Sequence, residues 1–182
     1  VNLVDGNVNN VDGFFNGVNG NYNRVKGGFN GVDGNFNKVY GLVNNVKGNS
    51  NGVWGNCNGI EGNFNGVLGD RNKIDGNKNA VIGNVNRLRG DRNVVDGNAN
   101  GVWGNDNGIW GNINNVNGNN NNVVGGGNNM SGNKNYVKGN VNNITGNRNG
   151  VDGNFNDIEG SQNKVKGNVN EIDGNLNHVI GN

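Results

Sequence analysis

The chain has 182 residues but no proline, one cysteine, one histidine and one methionine. Cys57 alone cannot form an internal disulfide, so we interpret it as an incidental thiol rather than a nucleophile or an intermolecular link. His178 is the only imidazole, and the sequence pattern places no serine or cysteine beside a base. These absences argue against nucleophilic and acid-base catalysis. We therefore predict that the chain is not an enzyme and holds no cofactor or metal.

An excess of charge of one sign and long apolar runs are also lacking. Fifteen basic against 14 acidic side chains give a formal net charge of +1. This balance favours neither nucleic acid nor an anionic membrane as a partner. No apolar stretch approaches the length of a membrane span. We expect no nucleic-acid partner and no membrane insertion.

Asparagine and glycine are abundant, with 54 and 37 residues respectively. Such a composition is typical of disordered chains. Here, however, the residues follow a seven-residue repeat without insertion or deletion: Gly, usually Asn, any residue, Asn, any residue, an aliphatic, any residue. We number these positions 1 to 7, beginning with Gly6-Asn7-Val8-Asn9-Asn10-Val11-Asp12. A phase kept over the whole chain indicates a stacked repeat rather than disorder.

The heptad is not that of a coiled coil. Glycine and asparagine would each cost about 0.5 to 1 kcal/mol in a helix relative to alanine, and only one position is reliably apolar where a coiled coil needs two. Positions 4 to 7 instead alternate as a short strand whose positions 4 and 6 point inward. Positions 1 to 3 are predicted to form the turn, because glycine accepts positive φ and asparagine at position 2 is the next most tolerant residue.

Position 3 indicates how many heptads complete one coil. In alternate copies, from Val1 and Phe15 to Val169, it is apolar in 11 of 13 cases, whereas in the intervening copies it is apolar in 5 of 13. The two edges therefore differ, and the structural period is 14 residues. We predict an all-β fold, a parallel β-solenoid of about 13 coils, with a Val/Ile core and inward Asn ladders. We expect one elongated, uncapped domain over residues 1–182.

Asparagine and aliphatic residues are predicted to alternate along the inside of each coil. Core burial alone does not offset the backbone entropy of 14 residues per coil, so hydrogen bonds between coils and between inward asparagines must supply the remainder. The first copies that we assign are Asn9, Asn16, Asn23 and Asn30 to the ladder and Val11, Val18, Val25 and Val32 to the core.

The segment Asn9-Asn10-Val11-Asp12-Gly13, repeated as Asn100-Gly101-Val102-Trp103-Gly104, resembles the heptad of the grass antifreeze and ice-recrystallisation-inhibition proteins. The resemblance covers the whole chain. It implies a left-handed β-roll and an ice-binding face of short Thr, Ser or Val side chains at positions 5 and 7. This chain departs from that pattern at most of these positions, for example at Arg24 and Lys26.

A small polar surface is nevertheless predicted on one side of three successive coils. Its residues occupy positions 5 and 7 and span about 10 Å along the coil axis at one strand spacing per coil. We assign this candidate ice face to Asn115, Asn117, Asn129, Ser131, Asn143 and Thr145. Two glycosylation sequons begin within it, at Asn129 and Asn143, and in so asparagine-rich a chain we interpret them as chance matches.

A second surface carries large apolar side chains at position 7, beside small residues at position 5. We assign this contact patch to Tyr40, Trp54, Leu68, Ile82, Trp110 and Val124. Contiguous exposed apolar side chains often mark a partner surface, although stacking that only stabilises the fold is an equal alternative. Trp54, Trp103 and Trp110 are also candidate sugar platforms.

The sequence begins at position 3 of the heptad and ends at position 2 without a cap. An open coil presents unpaired backbone groups to other chains. Our first hypothesis is an extracellular or cell-surface structural protein that associates end to end, and laterally through the contact patch, into a fibre or stalk, or forms part of a longer array. The alternatives are an ice-binding or ice-recrystallisation-inhibition protein, and an adhesin or carbohydrate-binding module with a glycan as its partner.

Overall fold

The computed structural model describes residues 1–181, in which the backbone forms short strands joined by turns and no helix. The chain divides into two compact units, Val1–Arg92 and Asn93–Asn182. The fold is a parallel β-solenoid of about 13 coils with about 14 residues per coil, which confirms the predicted fold class. A single domain over the whole chain stays a prediction.

The first unit contains 13 strands. Their bounds are β1 (Leu3–Asp5), β2 (Asn10–Phe14), β3 (Gly17–Asn19), β4 (Arg24–Gly28), β5 (Gly31–Asp33), β6 (Lys38–Leu42), β7 (Asn45–Lys47), β8 (Gly52–Trp54), β9 (Gly59–Glu61), β10 (Gly66–Leu68), β11 (Lys73–Asp75), β12 (Ala80–Ile82) and β13 (Arg87–Arg89). The odd-numbered strands of this unit form one parallel sheet and the even-numbered strands another. We call them the odd sheet and the even sheet.

The second unit contains the remaining 13 strands and has the same alternation of an odd and an even sheet. Their bounds are β14 (Val94–Asp96), β15 (Gly101–Trp103), β16 (Gly108–Trp110), β17 (Asn115–Asn117), β18 (Asn122–Val124), β19 (Asn129–Ser131), β20 (Tyr136–Lys138), β21 (Asn143–Thr145), β22 (Gly150–Asp152), β23 (Asp157–Glu159), β24 (Lys164–Lys166), β25 (Glu171–Asp173) and β26 (His178–Ile180).

Strand register confirms the 14-residue period. In the first unit Val11 pairs with Val25, and in the second Ile144 pairs with Ile158. Because side chains alternate along a strand, the middle residue of each three-residue strand points inward and its two neighbours point outward. The aliphatic residues at position 6 form the core, from Val18 to Leu88 in the first unit and from Val95 to Ile172 in the second. Of the four core residues first assigned, only Val11 is half-buried rather than buried.

The asparagines at position 4 form the inner ladders. Asn30 donates from its backbone N and its Nδ2 to Oδ1 of Asn16, at 3.1 and 3.0 Å, and from Nδ2 to the carbonyl oxygen of Gly41 at 2.8 Å. An inner asparagine with a coil on each side, such as Asn30, therefore binds the preceding coil and also caps a turn carbonyl. The four predicted ladder residues take part, although Asn9 is half-buried where Asn16, Asn23 and Asn30 are buried.

The asparagines at position 2 form a second, outer ladder. Asn21 donates from its backbone N and its Nδ2 to Oδ1 of Asn35, at 2.8 and 3.2 Å. These bonds run toward the following coil, opposite to those of the inner ladder. The amide dipoles of the two ladders are therefore opposed within one unit. Asparagine is favoured at position 2 because its side-chain Oδ1 accepts these hydrogen bonds from the preceding coil.

The residues with positive φ in the turn are not all those that the sequence predicts. Glycine at position 1 adopts positive φ, as expected, but the second such residue is at position 3, not the asparagine at position 2. Ile113 has φ 61° although it is β-branched. Its backbone N donates to the carbonyl oxygen of Asn98 at 2.9 Å, and its side chain is exposed. The hydrogen bonds between coils therefore offset a conformation that local propensity disfavours.

Glycine at position 1 is required by close approach as well as by φ. Gly132 has φ +134°, and a Cβ built on it would overlap the carbonyl oxygen of Gly146. No L-residue side chain fits this site without displacing the next coil. The same contact recurs along both units, which explains why position 1 is glycine throughout.

The outer ladder is interrupted at one edge of the first unit, where Phe14, Gly28 and Leu42 replace the asparagine. There β2, β4 and β6 are two residues longer, and Phe14 pairs with Gly28 in register. The Phe14 ring covers Gly28 and packs edge-on against Phe29, with ring centroids 5.6 Å apart. Aromatic packing thus replaces side-chain hydrogen bonds at this edge.

Candidate functional site

The candidate ice face lies entirely on the odd sheet of the second unit. It is carried by β17, β19 and β21, which are adjacent, parallel and in register. Asn115, Asn129 and Asn143 form one row, while Asn117, Ser131 and Thr145 form the other. All six side chains are exposed. The structure therefore brings together the six residues that the sequence pattern grouped.

The asparagine row of this face is hydrogen-bonded from strand to strand. Nδ2 of Asn115 donates to Oδ1 of Asn129 at 3.2 Å, and Nδ2 of Asn129 donates to Oδ1 of Asn143 at 3.0 Å. Nδ2 of Asn143 continues the row to Oδ1 of Asp157 at 2.9 Å. These bonds fix the amide orientations, so the row presents its polar atoms at the spacing of the strands, about 4.8 Å.

The layer beneath the face is fully buried. Val116, Met130 and Ile144 are the inward residues of the three strands, and each is at most 1% exposed. Their backbones are held by pairing on both sides, since β17 also pairs with β15 and β21 with β23. The face is therefore supported by a packed core rather than by a loop.

Larger or charged side chains border the face along the coil axis. Trp103 precedes Asn117 in register, and its ring lies over Gly101 of its own strand, where an added Cβ would be 2.6 Å from Cζ3. On the other side Asp157 and Glu159 follow Asn143 and Thr145. The small polar area is thus limited to three coils, as the sequence pattern predicts.

The contact patch is carried by the even sheets of both units. In the first unit Tyr40, Trp54, Leu68 and Ile82 follow one another in register. In the second unit Trp110 and Val124 are neighbours on β16 and β18. Trp54 and Trp110 are 40% and 43% exposed. Their role as a contact surface stays a prediction.

The three tryptophans have one local geometry in common. Like Trp103, Trp54 and Trp110 lie across a glycine two residues earlier, where a Cβ would be 2.8 and 2.7 Å from the ring atom Cζ3. Glycine at position 5 is therefore what allows an indole at position 7 to lie over its own strand. Trp54 and Trp110 are exposed, whereas Trp103 is half-buried.

The surroundings of Tyr40 and Trp54 are not among the features predicted from the sequence. The two rings are stacked, with centroids 5.8 Å apart and an interplanar angle of 8°. Nζ of Lys38 lies 5.6 Å from the Tyr40 centroid and 5.5 Å from that of Trp54. The 14-residue register could have indicated this arrangement. It places a position-5 lysine beside the position-7 residue of its own strand and beside that of the next coil.

The one cysteine and the one histidine lie in different units. Cys57 is a free, exposed thiol, and His178 is exposed. Residues 1–181 contain no group of three or more His, Cys, Asp or Glu side chains arranged to hold a metal ion. The same residues contain no helix with the length and apolar character of a membrane span.

A parallel β-solenoid with buried Asn ladders and a short polar outer face defines a class of repeat protein. The family model described as grass antifreeze beta roll matches residues 88–181, just over half of the chain, including the whole candidate ice face. The chain therefore belongs to the grass antifreeze β-roll family, which is not an enzymatic one. A search of curated proteins found no match.

Proposed function

We propose that the chain binds ice through the candidate ice face. The observation that carries the proposal is the hydrogen-bonded row Asn115, Asn129 and Asn143, which is exposed on three successive strands. Membership of the antifreeze β-roll family supports the same function.

The geometry of this face suits adsorption to a periodic solid. An ice surface presents donors and acceptors in a fixed lattice, so a complementary protein surface must also be repetitive and rigid. The row supplies one amide per strand at about 4.8 Å spacing. Because each amide is already held by its neighbour, little side-chain freedom is lost on binding. Short side chains at Ser131 and Thr145 leave the surface open to close approach.

The opposite side of the same coils lacks this regularity. The outward side chains of β18, β20 and β22 include Val124, Tyr136, Lys138 and Asp152, which differ in size and charge from one strand to the next. We therefore assign ice binding to the odd sheet only. With three coils the contact is small, so we expect inhibition of ice recrystallisation to exceed any depression of the freezing point.

Partition into growing ice tests the proposal directly. The purified chain is frozen slowly onto a cold probe, and the protein concentration in the ice is compared with that in the liquid. A globular protein without ice affinity serves as the control and is excluded from the ice. We expect enrichment of the chain in the ice. Exclusion equal to that of the control would overturn the proposal.

Lateral self-association is a second candidate function, favoured by the exposed end of the contact patch. Leu68 and Ile82 are 54% and 52% exposed on adjacent strands, beside Gly66 and Ala80. A structural fibre at an extracellular or cell-surface location stays a prediction on this basis. Sedimentation velocity and negative-stain microscopy over a range of concentrations test it. Larger particles that a Leu68→Glu variant abolishes would support it, and monomers at every concentration would exclude it.

A further inference from the structure

Three cations lie beside the stacked pair Tyr40 and Trp54 on the even sheet of the first unit, one of them on the strand of Tyr40 and two on the strand before it. Lys38 lies within 6 Å of both ring centroids. Arg24 pairs in register with Lys38, and Lys26 pairs with Tyr40. The five side chains occupy adjacent strands, β4, β6 and β8. We call this group the cation-aromatic cluster.

The cluster is free of nearby negative charge on its own strands. The described outward side chains of β4, β6, β8 and β10 include three cations and no carboxylate. Lys26 has an ion pair with Asp12 at 4.0 Å, on the strand before. Within residues 1–181, neither Arg24 nor Lys38 lies within 4 Å of a carboxylate oxygen. Although the net charge of the whole chain is only +1, this local surface favours an anion.

The rings add an exposed apolar surface to this charge. Trp54 is 40% exposed and lies over Gly52, so no side chain of its own strand covers it. The stacked arrangement with Tyr40 and the Lys38 ammonium holds the indole in place. A ligand that fits must combine an apolar ring face with a negative charge at the ring edge.

We propose that the cation-aromatic cluster binds a linear acidic polysaccharide made of uronic acids. The apolar face of one sugar ring packs against the exposed part of the Trp54 indole, and carboxylates of neighbouring sugars meet Lys38 and Arg24. The two cations lie on successive strands, about 4.8 Å apart. A chain with one carboxylate per sugar, running along the coil axis, therefore meets a position-5 cation on β4 and another on β6. This inference does not depend on ice binding, because the cluster and the candidate ice face lie in different units.

The second unit offers a matched control for the tryptophan. Trp110 lies over Gly108 as Trp54 lies over Gly52, with nearly equal exposure. Its partners in register are Asp96 and Val124, and the position-5 residues beside it are Val94 and Asn122. Trp110 thus has the same platform without an adjacent cation. A comparison of the two separates charge-assisted sugar binding from general stacking on an indole.

Isothermal titration with polygalacturonate oligomers tests the proposal, with dextran as the neutral probe and dextran sulfate as the sulfated one. We expect binding to polygalacturonate, no heat with dextran, and about a tenfold loss of affinity for Trp54→Ala and for Lys38→Gln. Trp110→Ala should bind as the parent chain does. Circular dichroism and the Tm of each variant verify that the solenoid is intact.

Three results would overturn the proposal. The first is no binding of polygalacturonate by the parent chain. The second is an equal loss of affinity in Trp110→Ala and Trp54→Ala. The third is binding of dextran sulfate that is as tight as that of polygalacturonate and unaffected by Trp54→Ala, which would show attraction to any polyanion.

Discussion

Asn129 donates a hydrogen bond from Nδ2 to Oδ1 of Asn143 at 3.0 Å, although both side chains lie on the outer surface. Exposed amides usually sample several orientations in water, and ordering one costs side-chain entropy. Here the register of β19 and β21 sets the two amides side by side. The 14-residue repeat thus orders polar groups outside the coil as well as inside it.

Removal of one donor from this row should weaken ice binding without unfolding the protein. In Asn129→Asp a carboxylate oxygen replaces the amide and faces Oδ1 of Asn143, so the row breaks at its centre. We expect several-fold weaker inhibition of ice recrystallisation and a Tm changed by less than about 2 °C, since the site is exposed. Tyr136→Asp, which places a carboxylate at the same heptad position on the exposed side of the even sheet of this unit, should keep full activity. Equal losses in both variants would contradict the assignment to the odd sheet.

Glycine at position 1 should be intolerant of any side chain. A methyl group on Gly132 would overlap the carbonyl oxygen of Gly146, and φ there is +134°. We expect Gly132→Ala to lower the Tm by roughly 5 to 10 °C, which corresponds to about 3 kcal/mol of backbone strain. Gly150 has open space around its Cβ position, so Gly150→Ala should shift the Tm by less than about 2 °C. Thermal unfolding followed by circular dichroism compares the two, and similar shifts would refute the close-approach argument.

The inner ladder should contribute more to stability than the outer one. Nδ2 of Asn128 donates to the carbonyl oxygen of Gly139 at 2.9 Å, and its Oδ1 accepts the backbone N–H of Asn142 at 3.0 Å. Asn128→Leu leaves both backbone groups without a partner in a buried site, at a cost of about 3 kcal/mol. Asn119 belongs to the outer ladder, where water can replace the lost bond to Asn105. Asn119→Ala should therefore cost less than about 1 kcal/mol. Urea unfolding midpoints test the order of the two effects, and the reverse order would contradict it.

Much of the fold follows from the sequence, because one period relates all parts of it. Position 3 is apolar in 11 of 13 alternate copies but in only 5 of 13 intervening copies, and this difference predicts two heptads per coil. Once that register is known, Asn115, Asn129 and Asn143 must form a row. The position of the candidate ice face therefore follows from the sequence alone, whereas its hydrogen bonds do not.

The remaining features depend on relationships that local propensity does not contain. The asparagine at position 2 lies in the turn, as predicted, but local propensity does not indicate that its side-chain Oδ1 accepts from the backbone N–H 14 residues earlier, as Asn21 does from Asn7 at 2.8 Å. Ile113 adopts positive φ against its preference because bonds between coils hold it there. Lys38 covers two rings, of which Trp54 belongs to the next coil.

Ice recrystallisation in the presence of two matched variants tests the central claim most directly. Thr145 and Asp152 are both exposed position-7 residues, seven residues apart, and they lie on the odd and even sheets of the second unit. Thr145→Arg places a long charged side chain on the candidate ice face, whereas Asp152→Arg places the same side chain on the opposite sheet. The account predicts that Thr145→Arg loses most of its inhibition of crystal growth at a concentration where Asp152→Arg and the parent chain remain fully active. Full activity of Thr145→Arg, or loss of activity in Asp152→Arg alone, would contradict ice binding by this face.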